Sequence, residues 1–187
     1  YTQLKEQFGG VPDRIKLINC VGGGSSSYGF WSEFMNFSKK QVEFIGVEAG
    51  GPAKSKKHAA PLTNNSKLGV LHGAMQYVVQ NSDGQIEETE SISAGLDYSG
   101  VSPLHCFLKD VKRARYTSAT DEEALSAYKL VTSLETISPS LEPSHAFAEV
   151  IKVAPKLSKN IICIVNSCGH SQKDKHIIEK KLGKYLG

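Results

Sequence analysis

Arg14–Val21 reads RIKLINCV, Gly22–Ser27 reads GGGSSS and Tyr28–Phe37 reads YGFWSEFMNF, and this order decides the fold. An apolar run of strand length stops at three glycines and three serines, and an aromatic-rich segment, expected as a helix over Ser27–Phe37, follows. Bare backbone amides and hydroxyls are thereby placed at a helix N-terminus, where unpaired N–H groups and the helix dipole both favour an anion. Glycines let the backbone come close, and serines add hydroxyl donors. Two readings stand side by side: a phosphate cradle, and a glycine-rich turn with nothing bound.

Working outward, Val42–Val47 (VEFIGV) reads as the next strand and completes a βαβ unit, which implies a parallel sheet with helices packed on it. Glu48–Asn65 is loop-rich, with Gly50-Gly51-Pro52 and Asn64-Asn65 as breakers. Val70–Asn81 is apolar, is compatible with extended or helical structure, and ends at the turn signal Asp83-Gly84. Glu90–Val101 is small and polar and suits a loop that lines a site. Pro103–Lys109 is expected as a helix and Ala114–Ala119 as a short strand. Thr120 and Glu123 form a capping box ahead of a helix over Ala124–Leu134. Glu142-Pro143-Ser144-His145 opens another helix with Ala146, Val150 and Val153 on its apolar side. Asn160–Val165 is expected as a buried strand, Asn166–Lys173 as a polar loop, and a basic helix closes the chain.

The expected fold is therefore α/β: a three-layer, mostly parallel sheet with flanking helices, with residues 1–187 forming a single domain. In such sheets ligands bind beyond the carboxyl ends of the strands. Gly22–Ser27 and Asn166–Lys173 both follow apolar strands, so they are expected to face one site. Glu142, at the start of a helix where a carboxylate is favoured, is a third candidate.

Composition narrows the function classes. The chain has 187 residues, 40% hydrophobic and 22% charged, which suits a single globular domain. A net charge of +3 with scattered lysines argues against nucleic acid, and the basic stretch Lys173–Lys184 reads as a solvated helix. No apolar run has the length of a membrane span, and the polar start YTQLKEQFGG carries no signal-peptide pattern. Cys20, Cys106, Cys163 and Cys168 show neither C-x-x-C nor zinc spacing; Cys20 and Cys163 lie in apolar runs, as buried free thiols of a cytoplasmic protein would. The chain opens on what reads as a helix end capped by Gly9-Gly10, as a fragment of a longer chain would.

Four separated blocks carry more than the generic pattern: CVGGGSS (20–26), GQIEETESISAGLDY (84–98), LEPSHA (141–146) and IVNSCGHSQKDK (164–175). In this order they resemble the C-terminal half of the tryptophan synthase β-chain family, over about Leu4 to Lys175. The resemblance implies the fold-type II pyridoxal-phosphate architecture. It also implies a lyase of tryptophan biosynthesis that, at full length, replaces the hydroxyl of L-serine with indole to give L-tryptophan and water. A different β-replacing or eliminating enzyme of the same fold, or a non-catalytic phosphate-binding module, are the alternatives.

The resemblance also implies roles. Gly22, Gly23, Gly24, Ser25 and Ser26 match the loop that holds the phosphate of pyridoxal 5'-phosphate; Ser26 stands where the family usually has Asn. Glu142 matches the glutamate near the cofactor ring. Cys168 matches a position, usually Ser, that faces the pyridine nitrogen, where a thiol or hydroxyl leaves the nitrogen largely unprotonated. Asp97 resembles the aspartate that meets the substrate side chain; alone it reads as a turn-forming residue. The carbonyls of Gly22, Tyr98 and Gly100 match ligands of a monovalent cation, Na+ or K+. Leu71 and His72 stand where relatives line an indole tunnel, and His72 reads equally as a satisfied core histidine. The loop Cys168–Asp174 (CGHSQKD) departs from the family's S-G-R-G-D-K-D.

The same family needs a Schiff-base lysine, which follows a His in its N-terminal half. None of the six histidines here is followed by Lys, and Lys54, Lys56 and Lys57 lie in a loop unsuited to the role. The expectation is half of an active site, inactive alone. Its implied partners are the N-terminal half, a β–β homodimer and the α subunit. Apolar surface is expected where the other half would pack.

Overall fold

The computed structural model describes residues 1–55, 57–64 and 66–183. Lys56, Asn65 and Lys184 therefore lie outside the described residues. The predicted βαβ unit is its centre. Strands β1 (Ile15–Cys20) and β2 (Val42–Ala49) run parallel, in register from Ile15–Val42 to Cys20–Val47. Strands β5 (Ala114–Ala119) and β6 (Ile162–Val165) join in parallel to give the order β5-β2-β1-β6. Alternation along the strands splits the core between two faces. Leu17 and Phe44 pack with Trp31, Phe34, Leu108 and Leu4 of α1 (Thr2–Phe8), while Ile18 and Ile45 pack with Ala127, Ala146 and Ala148. Helices thus cover both faces of a four-stranded parallel sheet, as the α/β reading requires.

Two strand-level expectations change. All four residues of β6 are only half-buried, and so is Cys163, because β6 is an edge strand with a neighbour on one side only. The ambiguous Val70–Asn81 belongs to an antiparallel hairpin of β3 (Lys67–Leu71) and β4 (Ala74–Val78). Its two turn residues, His72 and Gly73, have φ of 52° and 77°, the left-handed pair that a tight hairpin needs. The hairpin leaves Leu68, Val70 and Met75 exposed.

The helix after the glycines, α2, spans Ser25–Trp31 and continues as a 3-10 turn over Ser32–Phe34, starting earlier and ending sooner than the expected Ser27–Phe37. Gly24 at φ 98° lets the helix start at Ser25. Tightening to 3-10 geometry aligns residues three apart, and Trp31 and Phe34 both turn into the core.

Helix α3 (Pro103–Asp110) lies against β4 and β5, and α4 (Asp121–Glu135) carries the predicted capping box, with both of its hydrogen bonds made. α5 (Leu141–Val153) packs on α4 and over the sheet, and α6 (Lys175–Leu182) inserts Ile178 beside Tyr128 and Leu141. Glu48, fully buried near the end of β2, accepts hydrogen bonds from the Leu62 amide (2.9 and 3.1 Å) and the Thr63 hydroxyl (2.8 Å). Burial pushes its carboxyl up to about 8 against those bonds. This residue tethers the long loop after β2 to the sheet.

Candidate functional site at the carboxyl ends of β1 and β6

The glycine-serine loop leaves β1 and enters α2. Among the described residues no backbone carbonyl accepts from the amides of Gly22 to Ser27. Successive free N–H groups of this kind form an anion-binding concavity. With α2 only seven residues long, the amides themselves, rather than a long helix dipole, are what the loop offers. Gly24 is held from behind by His105, a fully buried residue of α3 that lay outside the sequence-derived candidates. His105 Nε2–H donates to the Gly24 carbonyl (2.8 Å), the Ser27 hydroxyl donates to the same carbonyl (3.0 Å), and the Tyr116 hydroxyl donates to His105 Nδ1 (2.8 Å). Burial lowers the His105 pKa, which keeps the ring in this neutral tautomer.

The second wall is the start of α5. Glu142 Oε1 accepts from the Gly95 amide (3.1 Å) and from Lys173 Nζ (2.7 Å), while Oε2 is buried with no partner among the described residues. Burial alone would raise this carboxyl, but the bond and charge of Lys173 overcome it and hold the group down at about 2. Lys173 also reaches Asp174 Oδ1 (2.7 Å), and Asp174 Oδ2 accepts from the Leu141 amide (2.8 Å), which caps α5. The resemblance marked Glu142; the lysine that charges it was visible only as one of several in a basic tail.

Replacing Lys173 by Met should therefore cost about 1–2 kcal/mol at pH 7, a charged hydrogen bond discounted for the exposure of the lysine. The sign with pH follows from the depressed value. The pair's contribution is complete above the ordinary 4.5 and is lost as pH falls through about 2. Urea unfolding of both proteins at pH 7 and pH 3 should show the gap narrowing in acid. An equal or wider gap at pH 3 would contradict this account of Glu142.

The third wall is the loop after β6. Asn166 Nδ2 donates to Ser26 Oγ (3.2 Å), as does Asn19 Nδ2 (3.3 Å), so the two loops do face one place, as expected. The Ser140 hydroxyl donates to the Cys168 carbonyl (3.0 Å). The Cys168 sulfur lies 3.7 Å from that of Cys20. The more buried Cys20 keeps the proton of the pair, its pKa raised by the bond to Cys168 and by burial. The same bond brings half-exposed Cys168 down to about 6, against burial and with help from Ser26. Cys168 is half-buried rather than fully enclosed.

Gly22, Gly23, Gly24, Ser25, Ser26, Glu142 and Cys168 consequently line one region. A side chain at Gly22 would meet the Gly95 carbonyl at 2.6 Å, so the strand-end loop and the ISAGLDY loop lie in direct contact. Asp97 is placed differently. It is exposed, and its carboxylate accepts from the Thr89 hydroxyl at 2.6 Å. Tyr98 stacks on His72 with its hydroxyl 2.9 Å from Nδ1, so exposed His72 is a surface turn residue rather than a core histidine. Gly100 is buried and paired with Val78 at the base of the hairpin.

Two features of this region are open to a ligand: the amides of Gly22 to Ser27 have no backbone acceptor among the described residues, and Glu142 Oε2 is buried without a partner among them. Among the described residues, no group of three or more His, Cys, Asp or Glu side chains is arranged to hold a metal ion. None of their helices is long and apolar enough to cross a membrane. No protein-family model matches the chain.

Proposed function

We propose that this chain is the C-terminal, cofactor-holding portion of a cytoplasmic tryptophan synthase β-chain-like enzyme. The observation that supports it most is convergence of the four sequence blocks at the carboxyl ends of β1 and β6: Asn166 bonds to Ser26, Gly95 and Lys173 bond to Glu142, and Gly22 lies against Gly95. In this reading the amides of Gly22–Ser26 and the hydroxyls of Ser25 and Ser26 bind the phosphate. Glu142, fixed by the Gly95 amide and Lys173, orients the ring, and the Cys168 sulfur faces the ring nitrogen. Asp97 contacts the substrate serine, and the carbonyls of Gly22, Tyr98 and Gly100 hold a monovalent cation. Pyridoxal phosphate supplies the electron sink for exchanging the serine hydroxyl for indole. The N-terminal half supplies the covalent lysine, and a homodimer and an α subunit complete the assembly. The lack of any His-Lys pair supports a second reading for this polypeptide by itself, a phosphate-binding module without chemistry.

A titration with pyridoxal phosphate tests the proposal. Binding should be non-covalent, should leave no borohydride-stable lysine adduct, and should produce no tryptophan from serine and indole. Gly23→Asp is the informative variant, since a side chain there meets nothing within 4 Å and the fold should be untouched. Its carboxylate would sit among the amides and weaken binding by about tenfold or more. Equal affinity in Gly23→Asp, or turnover through a lysine adduct, would sink the proposal. Equal binding of inorganic phosphate and pyridoxal phosphate would favour the module.

A further inference from the structure

The cofactor reading gives Cys168 a role but leaves its pairing with Cys20 without one. Their sulfurs are 3.7 Å apart although the residues are far apart in sequence. Cys20 sits at the end of β1, rigid and buried; Cys168 sits on the loop after β6, half-exposed, next to Gly169 at φ 84°. Among the described residues the other two thiols have no such neighbour: Cys106 accepts from the Tyr77 amide and Cys163 lies on the edge strand.

We propose that Cys168 is a site of peroxide oxidation and that Cys20 is its resolving thiol, so that the pair closes reversibly into an intramolecular disulfide. The proposal stands on the two thiols of the cofactor-free chain; a pyridoxal phosphate seated with its ring nitrogen against Cys168 would shield that sulfur, so the test is run without cofactor.

The chemistry balances with one hydroperoxide as oxidant. The Cys168 sulfur attacks the peroxide oxygen, the O–O bond breaks, and a sulfenic acid forms as one oxygen leaves as hydroxide or alkoxide. The Cys20 sulfur then attacks the Cys168 sulfur. An S–S bond forms, the S–O bond breaks, and the departing hydroxide takes the Cys20 proton to leave as water. Two thiols are oxidised by two electrons and one peroxide is reduced. A reactive, solvent-reached thiol beside a second thiol is the arrangement such sensors use. The depressed pKa of Cys168 agrees with its role as the attacking group. Closure needs the sulfurs to approach from 3.7 Å to about 2.05 Å. The loop holding Cys168 supplies that motion, since it is tied to its surroundings by side-chain bonds, from the Ser140 hydroxyl to the Cys168 carbonyl and from Asn166 to Ser26, rather than through a strand ladder.

The test is peptide mapping of the whole chain after graded hydrogen peroxide, without reduction. The expected product is a crosslink between the tryptic peptides Leu17–Lys39 and Asn160–Lys173, two mass units lighter than their sum and reversed by dithiothreitol. Fragment ions must place it on Cys168 rather than Cys163. Before oxidation, iodoacetamide should label Cys168 at least about tenfold faster than Cys163 at pH 7. In Cys20→Ser, dimedone should trap a sulfenic acid on Cys168. Oxidation falling first on Cys106 or Cys163, or a Cys168 that labels no faster than Cys163, would overturn the proposal. So would peroxide treatment that leaves the two peptides unlinked. The mapping and labelling on the unmutated chain decide the matter even if the variant folds poorly.

Discussion

Replacing Gly24 by alanine should destabilise the protein by about 4 kcal/mol, from left-handed backbone strain together with overpacking against a fixed ring. Gly24 sits at φ 98°, and a Cβ there would run into the His105 ring, 2.6 Å from Nε2. The ring cannot step aside, because Nε2 is bound to the Gly24 carbonyl, Nδ1 receives the Tyr116 hydroxyl, and the Trp31 ring packs against it with centroids 5.4 Å apart. In thermal unfolding the loss should read as a fall in Tm of roughly 10 °C for a chain of this size. Adding His105→Ala should recover part of the loss, since it removes the clash and leaves the strain. A Gly24→Ala protein within 1 °C of the parent would show that the clamp is not rigid.

Trp31→Ala should be comparably severe, at about 3–5 kcal/mol, the cost of deleting a large aromatic and leaving a cavity. Trp31 is fully buried and stacks on Phe44, with centroids 5.1 Å apart and planes 5° from parallel. Its indole N–H has no partner among the described residues. The cost therefore lies in packing rather than in a broken hydrogen bond, and Trp31→Phe should recover most of it. Urea unfolding of the three proteins checks this. A Phe variant as unstable as the Ala variant would mean that the indole nitrogen is engaged after all.

Much of the frame was legible because local pattern fixed it. The strands on either side of α2, the capping box at Thr120 and Glu123, and the convergence of the loops after β1 and β6 follow from apolar runs and breakers. What escaped reading was set by non-local order or by unusual turn chemistry. Nothing in NIICIV says that its strand lies at the sheet edge, which is why Cys163 is less buried than expected. The hairpin turn uses His72 where an Asn or Asp would have announced it. The site's supporting residues escaped too. His105, Lys173 and Asn166 look like ordinary helix and loop residues until the fold brings them to Gly24, Glu142 and Ser26.

The strand order has a temporal consequence. β1 pairs on one side with β2 and on the other with β6, so that Ile15 waits for Ile162. During synthesis the first half of the sheet can form while one edge of β1 stays open, and an open apolar edge is a hazard for mispairing. The loop that carries Cys168 arrives with β6, after that edge has been covered. The candidate site is therefore complete only once β6 has paired with β1.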